Sequence, residues 1–278
     1  MEPDAFHAGA GAAAPALTIV TVVKDDLPGL VATLASTAAL SGCSYEHWVI
    51  DGSASPAVRE YLTGRGDVCW ISEPDAGIFD AMNKGLERAK GDFVLFLNAG
   101  DVISKALNTT ALFDRLADGS CVFIGHTIEV YQDLRWLRPA VNRAADVFNA
   151  PAHQATFYPR CFYATHRYPA QLRISADGAY TWNAIQQCGA AYLPLIVCEF
   201  KLGGVSSNYQ SADVLRQRMR EAETLRERGL LLIKFCLWRI LPRRMFYSLL
   251  GAFKYTLLKN DHAARLRPVE LSRPAGVE

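Results

Sequence analysis

Apolar residues alternate between two spacings over the first hundred positions. Leu17 to Val23 is a continuous β-branched run, bounded by Pro15 and by Lys24-Asp25-Asp26, and predicts a strand. Leu27, Leu30, Leu34 and Ala38 then recur at helical spacing across 27–40. Residues 48–50 predict a second strand, ending on Asp51-Gly52-Ser53, followed by a short helix at 56–62 and a third strand at 68–71. Pro74, Asp75 and Gly77 mark a turn. From that turn Ile78, Met82, Leu86 and Ala89 again follow helical spacing, and Gly91 stops the helix. Residues 93–97 are an apolar run short enough for a strand buried on both faces. This alternation predicts an α/β fold with a parallel sheet and helices on both faces.

The pattern blurs beyond residue 101. Residues 106–116 predict a helix, and 121–125 and 128–131 predict two strands that can form a hairpin. The stretch 135–149 is polar, aromatic and irregular. Residues 208–228 read as a charged helix. In 229–258, Leu231, Phe235 and Trp238 give an apolar side among Lys234, Arg239, Arg243, Arg244 and Lys254, and Pro242 breaks the run. Two readings stand for it. One is an interfacial segment, with peripheral membrane contact through 229–258 and its cations near anionic headgroups. The other is a helix that packs on the domain and shows water a basic face.

Charge sharpens that choice. The chain of 278 residues has a formal charge of only +1. Residues 216–267 hold thirteen Lys and Arg against four Asp and Glu, a net of +9, so the rest carries −8. An acidic body with a basic tail suits a tail that meets an anionic surface, and argues against nucleic acid as a partner of the body. Half the residues are apolar, enough for a sizeable core. Seven cysteines occur without a C-x-x-C pair, which points to a reducing, cytoplasmic compartment rather than zinc or redox motifs. Residues 1–15 are rich in Ala, Gly and Pro and read as a disordered lead-in, not a secretory signal. No run reaches the roughly 18 apolar residues of a membrane span.

Three carboxylates stand in order after predicted strands: Asp51, Asp75 and Asp101. Open α/β sheets bind ligands outside the carboxyl ends of their strands, so the three can share one site. Each alone reads first as a turn or capping residue, and it is the three in order that favour a site.

The stretch from Ser72 to Asp101, SEPDAGIFDAMNKGLERAKGDFVLFLNAGD, is similar to the nucleotide-sugar-binding region of glycosyltransferase family 2. Bacterial members write SEPD-x-G-(I/V)-(Y/F)-D-A-M-N-K-G, then A-x-G-(D/E), then L-N-(A/S)-(G/D)-D. The likeness extends to T-V-V-K-D-D-L-P-G-L at the first strand, with Asp25 where the family has Asn, and to V-I-D-G-S-A-S at the second, with Ser55 or a neighbour replacing an Asp. Further on, His153-Gln154-Ala155-Thr156-Phe157 resembles an H-Q-(A/S)-x-F element. Ala176-Asp177-Gly178 resembles A-D-Y, and 200–206 resembles F-x-x-G-G-(V/I)-S. The resemblance implies the GT-A fold, a Rossmann-like α/β domain with a mostly parallel sheet, over 16–207. A basic C-terminal helical extension follows at 208–278.

The same resemblance implies an inverting glycosyltransferase of the hexosyl type. It would move sugar from a nucleotide-sugar donor to a lipid-linked or glycan acceptor in bacterial surface polysaccharide or glycolipid synthesis, at the inner face of the membrane. The backbone near Thr21 and Val22, together with Asp51, Asp75, Gly77, Asp80, Asn83 and Lys84, would bind the donor. Asp101 would hold Mg²⁺ or Mn²⁺, which compensates charge on the leaving diphosphate. Asp177 would take the acceptor's proton. His153 and Gln154 would meet acceptor or phosphate. Bland readings accompany these roles: Lys84 as a solvated helix residue, Asn83 or Asp80 as a cap, Asp177 as a turn residue, His153 as structural. Two other functions compete. A GT-A scaffold without turnover would keep nucleotide binding and lose chemistry. A nucleotidyltransferase would want a Gly-rich basic loop after the first strand, and 21–30 has one Gly and one Lys.

Overall fold

The computed structural model describes residues 14–40, 42–140, 151–169, 176–203, 212–222 and 224–258. Strand β1 (Leu17–Val23) leads into helix α1 (Leu27–Thr37). Asp26 caps that helix, its Oδ1 accepting the Gly29 N–H at 2.9 Å, and a proline in the first turn needs no N–H there. β2 (Tyr45–Asp51), α2 (Ala57–Leu62), β3 (Cys69–Ser72), α3 (Ile78–Arg88) and β4 (Phe93–Phe96) follow in the expected order. β1 pairs in parallel with β2 and β4, and β2 with β3. All four strands therefore release their carboxyl ends along one edge.

The second half of the sheet mixes strand directions. β5 (Val102–Ile103), α4 (Thr109–Ala117), β6 (Val122–Tyr131), β7 (Leu134–Arg138), β8 (Thr156–Pro159), α5 (Arg160–Tyr163), α6 (Ala176–Cys188) and β9 (Ala190–Lys201) come next. The two strands expected at 121–125 and 128–131 are one strand, β6. Its pairing with β9 shifts register around His126 instead of turning the chain. The hairpin partner of β6 is β7, so 134–138 is a strand rather than irregular. Cross-strand pairing decides this, and a run as mixed as L-R-W-L-R does not announce it. Residues 141–149 of that expected irregular stretch lie outside the described residues.

β8 joins the halves, pairing antiparallel with β4 on one side and with β6 on the other. The strand order is β3-β2-β1-β4-β8-β6-β9-β5, with β7 on β6. Because β8 runs opposite to β4, the residues just before β8 arrive at the carboxyl end of β4. One apolar core joins β1 and β4 to α3 and α6 through Val20, Met82, Phe96, Tyr158 and Tyr180. A second, on the other face, gathers Ile19, Leu95, Leu112 and Phe157.

Three helices end the described chain: α7 (Ala212–Glu221), α8 (Leu225–Ile240) and α9 (Arg243–Leu258). Thr224 and Glu227 form a reciprocal capping box at the start of α8. Leu241 and Pro242 separate α8 from α9. α9 lies on the β6–β7 hairpin: the Tyr247 and Tyr131 rings are 4.2 Å apart, and Arg244 binds both Asp133 carboxylate oxygens at 2.8–2.9 Å. The reading of a helix packed on the domain thus fits α9. α8 buries Leu231 and Trp238 but exposes Leu232, Ile233, Leu237 and Ile240. Among the described residues no helix is long and apolar enough to cross a membrane.

Candidate active site

The loop after β4 carries Asn98 to Asp101. Thr33 of α1 pins it, donating to the Asp101 carbonyl at 2.7 Å while accepting the Gly100 N–H at 3.0 Å. Gly100 takes φ +93°, a conformation that favours glycine, so the chain turns here to aim Asp101 inward. The Asp101 carboxylate is 5% exposed and accepts Gln154 Nε2 at 3.3 Å. Burial pushes its pKa up to about 7, against the pull of His153, Gln154, the Lys201 backbone N–H and the Lys201 charge.

The 153–155 turn places His153 beside Gln154. Its Nδ1 lies 3.4 Å from Asp177 Oδ2, and its Nε2 lies 3.5 Å from Asn98 Nδ2. Asp177 sits in the first turn of α6, not in an isolated turn. Its Oδ1 accepts the Gly178 N–H at 2.8 Å. Burial raises its pKa, but the His153 hydrogen bond and charge, the Gly178 N–H and Arg138 outweigh this and leave it below the usual carboxylate range. Among the described residues a Cβ at Gly178 would meet nothing within 4 Å, so nothing described is placed to pack an aromatic there. Tyr180, buried and 4.2 Å from the Tyr168 ring, supports this part of α6 instead. Asp101, Gln154, His153, Asn98 and Asp177 are therefore one connected cluster.

A second group lies at the ends of β2 and β3. Asp51 is buried and internally satisfied, with Oδ1 accepting from Ser53 N at 2.9 Å and Oδ2 from Ser72 Oγ at 2.7 Å. Asp75 Oδ1 accepts the Gly77 N–H at 2.9 Å. Its Oδ2 rests where a Cβ on Gly52 would be, 1.7 Å away, so only glycine at 52 admits it. Asp80 Oδ2 accepts the Ala76 N–H at 3.0 Å. Thr21 and Val22 lie near the carboxyl end of β1, and the Val22 carbonyl accepts Ala99 N–H at 3.1 Å.

Two expected donor contacts have other partners in this structure. Asn83 binds the Tyr168 backbone twice, donating to its carbonyl at 3.1 Å and accepting its N–H at 2.8 Å. Lys84 is neither solvated nor free: it pairs with Glu73 at 3.0 Å and Asp80 at 3.7 Å and donates to the Pro74 carbonyl at 2.6 Å. It holds the 73–80 loop. Lys24, the one lysine of 21–30, has a side chain 64% exposed and 3.8 Å from Asp75. The loop around Ser55 is held from β1's side, while the N-cap of α2 makes no side-chain hydrogen bond. Asp25, at φ +53°, accepts from Ala54 N and Ser55 N at 3.2 and 3.1 Å. Neither Lys201 nor Asn98 is given a role by the motif it lies in. Gly204 to Ser206 and Ile174-Ser175 lie outside the described residues.

Among the described residues no three His, Cys, Asp or Glu gather into a protein-only metal cage. Asp101 and the buried, unpartnered Asn98 Oδ1 are the oxygen donors here. They fit a divalent cation of the Mg²⁺ kind, which takes one or two carboxylates and fills its shell with substrate phosphate and water. A cation would also offset the burial that makes the Asp101 charge costly.

The family model described as "Glycosyl transferase family 2" matches residues 18–174. An uncharacterized glycosyltransferase of Mycobacterium tuberculosis (strain ATCC 25618 / H37Rv) is 30% identical over 211 residues, covering 72% of this chain and 80% of the relative. A PGL/p-HBAD biosynthesis glycosyltransferase of Mycobacterium bovis (strain BCG / Pasteur 1173P2) is 26% identical over 217 residues, 74% of this chain and 84% of the relative. Among solved structures, S. aureus TarS in complex with UDP-GlcNAc superposes with a TM-score of 0.55 at 15% identity, over 91% of this chain and 77% of that one. A longer TarS chain gives 0.53 at 17% identity; the match covers 84% of this chain, which spans 45% of that one. At such identity the likeness concerns the fold.

Proposed function

The chain belongs to glycosyl transferase family 2, and on that premise we propose that it is an inverting enzyme. It transfers a sugar from a nucleotide-sugar donor to a lipid-linked or glycan acceptor. The observation that carries the reading is the connected cluster Asp101–Gln154–His153–Asp177 at the carboxyl end of β4. The M. bovis relative's name, which ties it to PGL biosynthesis, supports a glycolipid-type acceptor, and the TarS complex supports a uridine nucleotide donor.

The donor's nucleotide lies across the ends of β1, β2 and β3, against Asp51 and the Asp75–Gly77 turn, with Lys24 at the rim for phosphate. Asp101 and Asn98 would hold Mg²⁺ or Mn²⁺, and such an ion supplies electrophilic compensation for the departing diphosphate. The acceptor hydroxyl attacks the anomeric carbon as the bond to the phosphate oxygen breaks, which inverts that carbon in one displacement. Asp177 takes the hydroxyl's proton. Its lowered pKa keeps it ionised at neutral pH, and His153 at Oδ2 with the Gly178 N–H at Oδ1 fixes its orientation. The exposed apolar face of α8 supports action at a membrane surface, where a lipid-linked acceptor is presented.

A thermal-shift screen with UDP, GDP, dTDP and CMP, each with and without Mn²⁺, tests the donor side. One nucleotide giving a metal-dependent rise that Asp101→Ala abolishes is expected; no rise with any nucleotide would point to a scaffold. Asp177→Asn tests the base. Turnover should fall by about 10²-fold or more while donor binding persists, and full turnover would remove Asp177 from the reaction.

A further inference from the structure

Two thiols meet away from the site. Cys161 lies in α5 and Cys188 is the last residue of α6; their Sγ atoms are 3.7 Å apart. Cys161 is exposed and Cys188 partly buried. The Cys161 thiol also reaches the Ser120 carbonyl at 3.8 Å, which keeps its side chain turned toward this spot. A disulfide brings sulfurs to about 2.05 Å, so closing the pair needs a movement of about 1.7 Å. Side-chain rotation at two helix ends can supply that.

We propose that Cys161 and Cys188 are a reversible oxidation site, at which a hydroperoxide oxidises Cys161 and Cys188 resolves it as a disulfide. Of the two, Cys161 is the exposed one, so it is the thiol of the pair that a peroxide meets first. Its thiolate attacks the outer peroxide oxygen. The O–O bond breaks, the released alkoxide or hydroxide takes up a proton, and Cys161 becomes a sulfenic acid. The peroxide is reduced by two electrons and the sulfur oxidised by two. Cys188 sulfur then attacks Cys161 sulfur. The S–S bond forms, the S–O bond breaks, and the hydroxide leaves as water with the Cys188 proton. Burial and the neighbouring Cys161 push the Cys188 pKa up to about 11, which makes it a poor first target and leaves it the resolving role. Proximity compensates for its small thiolate fraction, because the attack is intramolecular.

The bond would staple α5, which continues from β8, to the end of α6. Asp177 stands eleven residues away at the start of α6, about 16 Å along the axis. The site therefore does not rest on the transfer reaction, and donor binding should be unchanged by it. Cys121 is the competing thiol, close enough to influence Cys188.

The test uses the full chain, reduced, desalted and exposed to a few equivalents of hydrogen peroxide. Intact mass should fall by about 2 Da, and peptide mapping should join Cys161 to Cys188. The melting midpoint should rise by several degrees, since the cross-link restricts the unfolded chain, and dithiothreitol should reverse all three changes. In Cys188→Ala the reaction should stop at a sulfenic acid on Cys161 that dimedone traps. A Cys121–Cys188 link, uncoupled sulfinic acid at Cys161 in the unsubstituted chain, or two unmodified thiols would each overturn the proposal.

Discussion

His47 shows how one buried side chain makes the fold sensitive to acid. Thr21 donates its hydroxyl to the Leu97 carbonyl at 2.7 Å, so its oxygen is left to accept from His47 Nε2, 2.8 Å away. That assigns the hydrogen to Nε2 and leaves Nδ1 buried with no partner. Burial lowers the His47 pKa to about 4. The unfolded chain takes up this proton below about pH 6.5 and the native chain refuses it until about pH 4, so stability falls as pH drops through that window. The loss amounts to about 3 kcal/mol at most. His47→Gln should flatten the acid side of a urea-stability profile relative to the parent. An equal slope in both proteins would refute this assignment. Asp101 acts in the opposite sense: its raised pKa costs stability as pH rises from about 4 to about 7. Both proteins share that contribution, and it cancels in their difference.

Element by element, the C-terminal helices divide their work. α9 is bound to the body through Phe246 and Tyr247, so deleting everything after Arg228 would uncover Tyr131 and Trp136 as well as remove the proposed membrane contact. Substitution on α8 is the cleaner probe. Leu232, Ile233, Leu237 and Ile240 are 41–77% exposed along one face, and Arg239 is exposed beside them. Each such side chain contributes about 1.5–3 kcal/mol when buried in an apolar phase. Ile233→Ser with Leu237→Ser should lower flotation with anionic liposomes by about tenfold or more and leave the melting midpoint within a degree or two. Undiminished flotation would take α8 out of membrane contact. Raised salt should weaken the same binding, because the arginine contribution is screened.

Across the whole molecule, two unlike halves of one sheet meet at the β4–β8 pair. The parallel half carries Asp51, Asp75 and Asp101; the segments around β8 and α6 bring His153, Gln154 and Asp177. Asn83 on α3 ties the first half to the backbone of Tyr168, whose ring stacks on Tyr180 and lies edge-on to Phe96. Asn83→Ala leaves one buried donor and one acceptor unpaired, which costs about 1–3 kcal/mol. It should lower the melting midpoint while nucleotide affinity, measured by calorimetry, stays within about twofold. A large loss of affinity with stability intact would return Asn83 to the donor site.

The order of the first strands and helices was legible in the sequence because it rests on local rules. Apolar period, turn residues and caps act within a few positions, and β1 through β4 obey them. Asp101 and Asp177 could be singled out from the sequence by motif, since each stands in a short fixed context. What stands beside them was not legible. The antiparallel entry of β8 sets Gln154 against Asp101 and His153 against Asp177, residues separated by 53 and 24 positions. The long strand β9 brings Lys201 to Asp101, and a register shift makes one strand of an expected two. Lys84 looked like a free cation and is neutralised by its own loop; Asn83 looked like a ligand and binds backbone 85 residues away. Local sequence thus determined which elements form and where their polar ends lie. Tertiary structure alone decided which polar groups meet, because strand pairing between distant segments has no signature within either one.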